Sequence, residues 1–259
     1  MLLAASAALI ALFVLIESRT RSPLMPLRIL RNRSVASADA VGLLVGATLL
    51  SMFFFLSLYL QQVLHYSALR TGVSYLPLAV GIIIASGFAS ALTSRLGAKP
   101  VLVAGLVAIA GGMVWFSNVH AHGSYSGDVL GPSLIVAFGL GFCFVPLTIL
   151  AVSGTTETDA GLASGLINTA EQVGGAIGLA VLATVAASRT DSLLRAAHGA
   201  HSALSGALTH GFARAFTVGA GFAVLGIVLA LLFVQNSRPA TGDENVSANA
   251  GGSLATISA

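Results

Sequence analysis

Charge is what this sequence has least of. Only 8% of its 259 residues are Asp, Glu, Lys or Arg, against roughly 25% in an ordinary soluble domain. With 56% hydrophobic residues, there are too few polar side chains to cover a water-facing surface, which excludes a soluble globular fold. Cysteine is nearly missing too. The single one, Cys143, lies in an apolar block, so it can form neither an internal disulfide nor a cysteine-based metal site and reads as a small buried hydrophobe. There is no nucleophile elbow, zinc-protease helix motif or phosphate-binding Gly loop, so no enzyme and no cofactor are expected.

What the chain has instead is long apolar blocks. They run Leu2 to Ile16, Ser37 to Leu60, Gly72 to Leu92, Val101 to Phe116, Val129 to Val152, Leu162 to Ala186 and Phe212 to Val234. Most are long enough to cross a hydrocarbon layer of roughly 30 Å as a helix. The expected fold is all-α and integral to the membrane, with about seven transmembrane helices; six remains an alternative because the first block is short. Leu2 to Ile16 lacks a basic n-region, and Glu17 to Arg21 is a poor cleavage site, so a shortened span is favoured over a signal peptide. The expected organisation is a partial span at 1–16, a basic cytoplasmic linker at 17–36, a six-helix bundle at 37–234 and a disordered cytoplasmic tail at 235–259.

Net charge of +3 and a pI near 9.5 do not point to nucleic acid, because five of the twelve Lys and Arg crowd into Arg19 to Arg33 beside a span. Such a cluster reads as an anchor against anionic lipid on the cytoplasmic side. With that loop inside, eight basic residues fall inside (Arg19, Arg21, Arg28, Arg31, Arg33, Arg95, Lys99, Arg238) and four outside (Arg70, Arg189, Arg195, Arg214). Two surface helices are expected, one at Pro23 to Arg33 with Leu24, Leu27 and Leu30 in register, the other in the long loop Ser188 to Gly211.

The sixth block carries the chemistry. At 100° per residue, Ser164, Asn168, Glu171, Gly175 and Gly178 share one face, while Leu162, Leu166, Val173 and Ile177 share the opposite one; Gln172 adds a further polar group. A central acid costs roughly 2.5–3.5 kcal/mol to insert while each Leu or Ile returns roughly 0.3–0.6, so the polar face must meet protein or water, and Asn168 and Gln172 need partners on other helices. Glu171 is either a proton carrier or binder of cationic substrate, or a hydrogen-bonded packing residue. Asp39, near the start of the second block, is a weaker candidate for the same pathway, since an acid in a first helical turn is stabilised by the helix dipole. The pairs Gly42/Gly46, Gly161/Gly165 and Gly174/Gly178 predict close helix approach, and Pro77, Pro132 and Pro146 predict bends. His120 and His122, and His198, His201 and His210, lie in two loops with no completing ligand at recognisable spacing, so no metal site is expected.

Several stretches resemble a known family in the family's own order. Glu17, Arg19, Pro23-Leu24, Pro26-Leu27-Arg28 and Leu30-Arg31-Asn32-Arg33-Ser34 resemble the linker before the last six spans of fourteen-span drug:proton antiporters of the major facilitator superfamily. Tyr59-Leu60-Gln61-Gln62 with Ser67-Ala68-Leu69 and Gly72, then Leu76-Pro77, then Gly161 to Leu179 with Asn168-Thr169, Gln172 and Gly174-Gly175, continue the likeness over about residues 1 to 235. The resemblance implies six helices forming one major-facilitator-type half bundle, and export of drugs or other amphipathic molecules coupled to inward proton movement. The family's loop motif survives as Ser94-Arg95-Leu96-Gly97-Ala98-Lys99, with Ser94 in place of an acid. Position 171 is commonly Arg or Gln in relatives, so a proton role for Glu171 rests on physics alone.

The partners expected are the lipid bilayer, a small-molecule substrate and protons, and a second transporter half or a homodimer. The chain is expected to be a fragment, because it opens inside a hydrophobic span, or else a half that pairs with another polypeptide or itself. A membrane subunit that only packs against or regulates a partner is the competing reading.

Overall fold

A chain in hydrocarbon must satisfy its backbone hydrogen bonds internally, which leaves the helix as the economical choice for each apolar block. The computed structural model describes residues 2–20, 32–153, 155, 157–197 and 204–235, and all its regular elements are helical. They are α1 (Leu2–Arg19), α2 (Arg33–Leu58), α3 (Ala68–Ser74), α4 (Leu76–Leu96), α5 (Ala98–Phe116), α6 (Leu130–Val152), α7 (Glu157–Ala196) and α8 (Leu204–Phe233). Wide π turns extend α2 through Tyr59–Val63 and open α6 at Tyr125–Val129. Among the described residues six helical runs are long and apolar enough to cross a membrane, α3 and α4 together making one of them. The expected surface helix at Pro23 to Arg33 and the expected tail at 235–259 fall almost wholly outside the described residues.

Local sequence sets the ends. Asn32 caps α2, its side chain accepting from the Ser34 amide at 3.0 Å, and Ser67 caps α3 by accepting from the Arg70 amide at 3.3 Å. Between α4 and α5 the chain turns on one residue, Gly97, at φ 89° and ψ 166°, a region essentially closed to residues with a Cβ. Pro77 sits in the first turn of α4, where its missing N–H costs nothing. Pro146 lies inside α6.

One expectation fails at the loop 188–211. No separate surface helix forms among its described residues: α7 runs on to Ala196 and α8 starts at Leu204. Leu193 and Leu194 therefore continue α7, and Leu204 and Leu208 belong to α8. The reason is propensity, since Ala, Leu, Arg and Ser after Ala186 give an existing helix no cause to stop, and elongation costs less than a new nucleus.

In the bundle α2 packs against α7, α8 and α6; α5 lies between α6 and α8, and α4 lies on α6. The core centres on Met52, Phe55, Leu56, Tyr59, Leu102, Leu106, Met113, Phe116 and Phe216, all nearly or fully buried. Phe116 stacks on Phe216 at 5.1 Å between ring centroids, and Phe55 meets Phe216 edge-on at 6.4 Å. Cys143 is fully buried, as expected, with Sγ 3.9 Å from the Leu102 carbonyl. By contrast α4 presents Leu76, Val80, Ile83, Ile84 and Phe88 outward, and the runs that contain α4 and α7 are the least buried of the six. Their outer faces have lipid or a further protein surface as partners.

Candidate functional site

The closest backbone approach joins α2 to α7. A Cβ added at Gly46 would strike the Glu171 carbonyl oxygen, with the Glu171 Cα at 2.7 Å. One added at Gly174 would strike the Leu43 carbonyl oxygen, with the Leu43 Cα at 2.7 Å, and one at Gly178 would lie 2.6 Å from the Ala47 Cα. Two of the three expected glycine pairs, Gly42/Gly46 and Gly174/Gly178, thus face each other across one seam. The third does not take part: nothing lies within 4 Å of a Cβ at Gly161 or Gly165. Those two glycines fall on the outer face of α7, where no described residue is a neighbour.

That seam places the polar groups of α7. The buried stripe of α7 contains Ala163, Ile167, Gly174, Gly175, Gly178 and Leu182; Val173 and Ile177 are exposed on the other side, as expected for a lipid face. Ser164 and Glu171 are half-buried beside the seam, and Asn168 and Gln172 are exposed further round the same flank. A groove of about 210 Å³ opens there, lined by Gly46, Leu49, Leu50 and Phe53 of α2 and by Glu171, Gln172 and Gly175 of α7. The α2 wall was missed in the sequence; its signal was the Gly42/Gly46 pair, which matches Gly174/Gly178 in spacing.

Among the described residues the Glu171 carboxylate makes no hydrogen bond or ion pair, and its oxygens are not sealed from the groove. The expectation that Asn168 and Gln172 find partners on other helices is not met: neither side chain makes a hydrogen bond among the described residues, because both face the open flank. Ser164 donates only to its own helix, at the Ala160 carbonyl, 3.0 Å away.

Asp39 differs from what its position in the block suggested. The helix α2 starts at Arg33, and no acid lies in its first turn, so Asp39 stands a turn deeper and the helix-dipole reading loses its basis. Both its carboxylate oxygens are buried without a hydrogen-bond partner among the described residues. Asp39 does not line the Glu171 groove.

The two ends of the bundle carry different chemistry. At one, the Lys99 ammonium donates to the Leu231 carbonyl at 2.8 Å, clasping α5 to the end of α8 beside the Gly97 turn, while Arg95 is exposed. At the other, Tyr59 donates to the His120 carbonyl at 2.8 Å, and His120 Nδ1 lies 2.8 Å from Asp128, whose second oxygen accepts from the Ser124 amide. Asp128 was not picked out from sequence, since it pairs across a loop at no diagnostic spacing. His122 stands apart from that pair, and among the described residues no cluster of His, Cys, Asp or Glu suits a metal ion; His198 and His201 fall outside them.

Six helical runs long and apolar enough to cross a membrane, among the described residues, define a multi-pass membrane protein. The sequence model of the Major Facilitator Superfamily matches residues 1–179, and the chain belongs to that family. It is 33% identical over 241 residues to the puromycin resistance protein of Streptomyces alboniger, covering 92% of this chain and 48% of that protein. It is 38% identical over 180 residues to the cephamycin export protein of Amycolatopsis lactamdurans, covering 69% and 37%. With the tetracenomycin C resistance and export protein of Streptomyces glaucescens it shares 34% over 189 residues, covering 72% and 35%. The chain thus spans about half or less of the length of these curated relatives, and it is a multi-pass protein of the cell membrane.

Proposed function

We propose that this chain forms one wall of a translocation pathway through which small amphipathic organic molecules are exported in exchange for protons. The observation that carries the proposal is the Glu171 carboxylate, which has no partner among the described residues and lies at the edge of the α2/α7 groove. An acid in a membrane span is costly enough to signal function by default. Glu171 is the group that takes up and releases the proton, or meets a cationic substrate. Asn168 and Gln172 supply hydrogen bonds to the substrate, while Leu49, Leu50 and Phe53 supply apolar contact. The seam glycines hold Glu171 against α2, so the groove keeps its shape as the carboxyl changes charge. Export as the direction of flux is supported by the resistance and export named for the relatives.

Transport by this fold needs a second wall, because sites of this kind lie between two repeats near mid-membrane. The open faces of α4 and α7 are where a second half, on the same or another polypeptide, would pack. Arg33, Arg95 and Lys99 then lie on the cytoplasmic side by the excess of Lys and Arg there.

The experiment is drug-stimulated proton movement in proteoliposomes carrying either the wild type or Glu171→Gln in the assembled transporter. Loss of pH-driven flux with substrate binding retained supports the proposal; unchanged flux removes Glu171 from the coupling step. A cysteine at Asn168 tests the competing reading of a subunit that only packs. Labelling by a water-soluble thiol reagent is expected, and full protection in the assembled protein would favour the packing subunit.

A further inference from the structure

One cavity of the bundle has no part in the pathway just proposed. It lies between α7 and α8 at the end opposite Lys99, measures about 460 Å³, and is lined by Arg189, His210, Ala213, Arg214 and Thr217. Its size falls in the range of ordinary ligand pockets. Arg189, His210 and Arg214 are all exposed. Among the described residues neither guanidinium has a carboxylate or hydrogen-bond partner. Asp191 lies about 200° further round α7 from Arg189 and makes no ion pair among the described residues. Two uncompensated arginines on one cavity repel each other, and an arginine beside an apolar belt needs an anion or water at its tip.

The surface below the cavity narrows the choice of anion. Continuing down the same exposed face of α8 come Gly221, Val224, Leu225 and Val228. Val224 is 51% exposed and Leu225 48%, and no described residue stands within 4 Å of a Cβ at Gly221, which leaves a shallow notch. From Arg214 to Val224 is about 15 Å along the helix, the depth of one leaflet of a hydrocarbon core of about 30 Å. A cationic cavity at the headgroup level thus continues into an aliphatic track as long as one acyl chain.

We propose that this cavity holds the phosphate of an anionic phospholipid, with Arg189 and Arg214 on its oxygens, His210 donating a further hydrogen bond, and an acyl chain along Gly221, Val224 and Leu225. The lipid neutralises the two arginines and ties the outer ends of α7 and α8 together. A soluble anion would satisfy the arginines but gain nothing from the track.

The test uses the full chain, purified in mild detergent and stripped of lipid. Binding is read as the shift in thermal unfolding on adding phosphatidylglycerol, phosphatidylcholine or inorganic phosphate, together with the phosphorus that copurifies before stripping. Phosphatidylglycerol should stabilise the wild type and copurify with it, phosphatidylcholine should act only weakly, and inorganic phosphate at equal concentration should do nothing. The double variant R189Q/R214Q should bind phosphatidylglycerol roughly thirtyfold more weakly, and R189K/R214K should keep most of the affinity. Both positions are exposed, so the glutamine variant should fold; its unfolding temperature without lipid checks this, and R214Q alone stands in if it does not. Equal binding by wild type and glutamine variant overturns the proposal. So does equal protection by phosphatidylcholine, which makes the contact unspecific, or by inorganic phosphate, which makes the site one for soluble anions.

Discussion

Replacing Gly174 by Ala should separate α2 from α7. The added methyl would strike the Leu43 carbonyl oxygen, with the Leu43 carbonyl carbon at 2.6 Å and Cα at 2.7 Å. Ordinary van der Waals contact begins near 3.4 Å. The obstacle is helix backbone, with no rotamer to absorb the clash, so the helices must part by roughly 1 Å. A gap of that size forfeits about a quarter to a half of each contact's well depth along the seam. Together with the strain of overpacking, the cost should be about 2–3 kcal/mol. For a chain of this size that lowers the unfolding temperature by about 5–10 °C.

Two controls make the reasoning refutable. Gly42→Ala meets the Ile167 Cδ1 at 2.5 Å, the far end of a flexible side chain, so its cost should be well below that of Gly174→Ala. Gly165→Ala meets no described residue within 4 Å and should be neutral or stabilise by up to about 1 kcal/mol through helix propensity. Thermal unfolding of the three variants in one detergent, followed by size-exclusion fluorescence, ranks them. If Gly174→Ala unfolds within a degree of Gly165→Ala, the close α2/α7 seam is wrong, and the placement of Glu171 against α2 goes with it.

Asp39→Ala, which removes a carboxylate with no partner among the described residues, should raise stability by about 1–3 kcal/mol, because a buried polar group without a hydrogen bond is a net cost. A lower unfolding temperature would show that Asp39 has a partner in the assembled protein. Gly97→Ala forces a Cβ onto a backbone at φ 89° and ψ 166° and should destabilise by about 1–3 kcal/mol; proteolysis at the α4/α5 turn should speed up accordingly, and an unchanged digestion rate would count against that turn. In Tyr59→Phe the 2.8 Å bond to the His120 carbonyl is lost, at a cost of about 1 kcal/mol. Denaturant unfolding that matches the wild type would mean that the contact adds nothing to stability.

The class of the protein was legible in its composition. Hydropathy predicted about seven spans, with six as the alternative; all seven blocks are helical, and six helical runs among the described residues are long and apolar enough to cross a membrane, because an apolar block in lipid has few choices besides a helix. The residues likened to drug:proton antiporters agree with the family match over residues 1–179. Periodicity also separated the exposed Val173 and Ile177 from the buried Gly175 and Gly178, since that split depends only on the 100° step of one helix.

Which helices meet was beyond the sequence. Gly161/Gly165 and Gly174/Gly178 have the same spacing, yet only the second pair packs against α2, because a small-residue pair permits close approach without supplying the neighbour. Asp39 looked like a helix-end acid until Asn32 was found to cap α2 and carry its start back to Arg33. Arg189 and Arg214 are far apart in sequence and share a cavity only because α7 and α8 run antiparallel side by side. Local pattern settled each helix and its faces; the pairing of faces, and with it every site built from two helices, was decided by packing between residues distant in the chain.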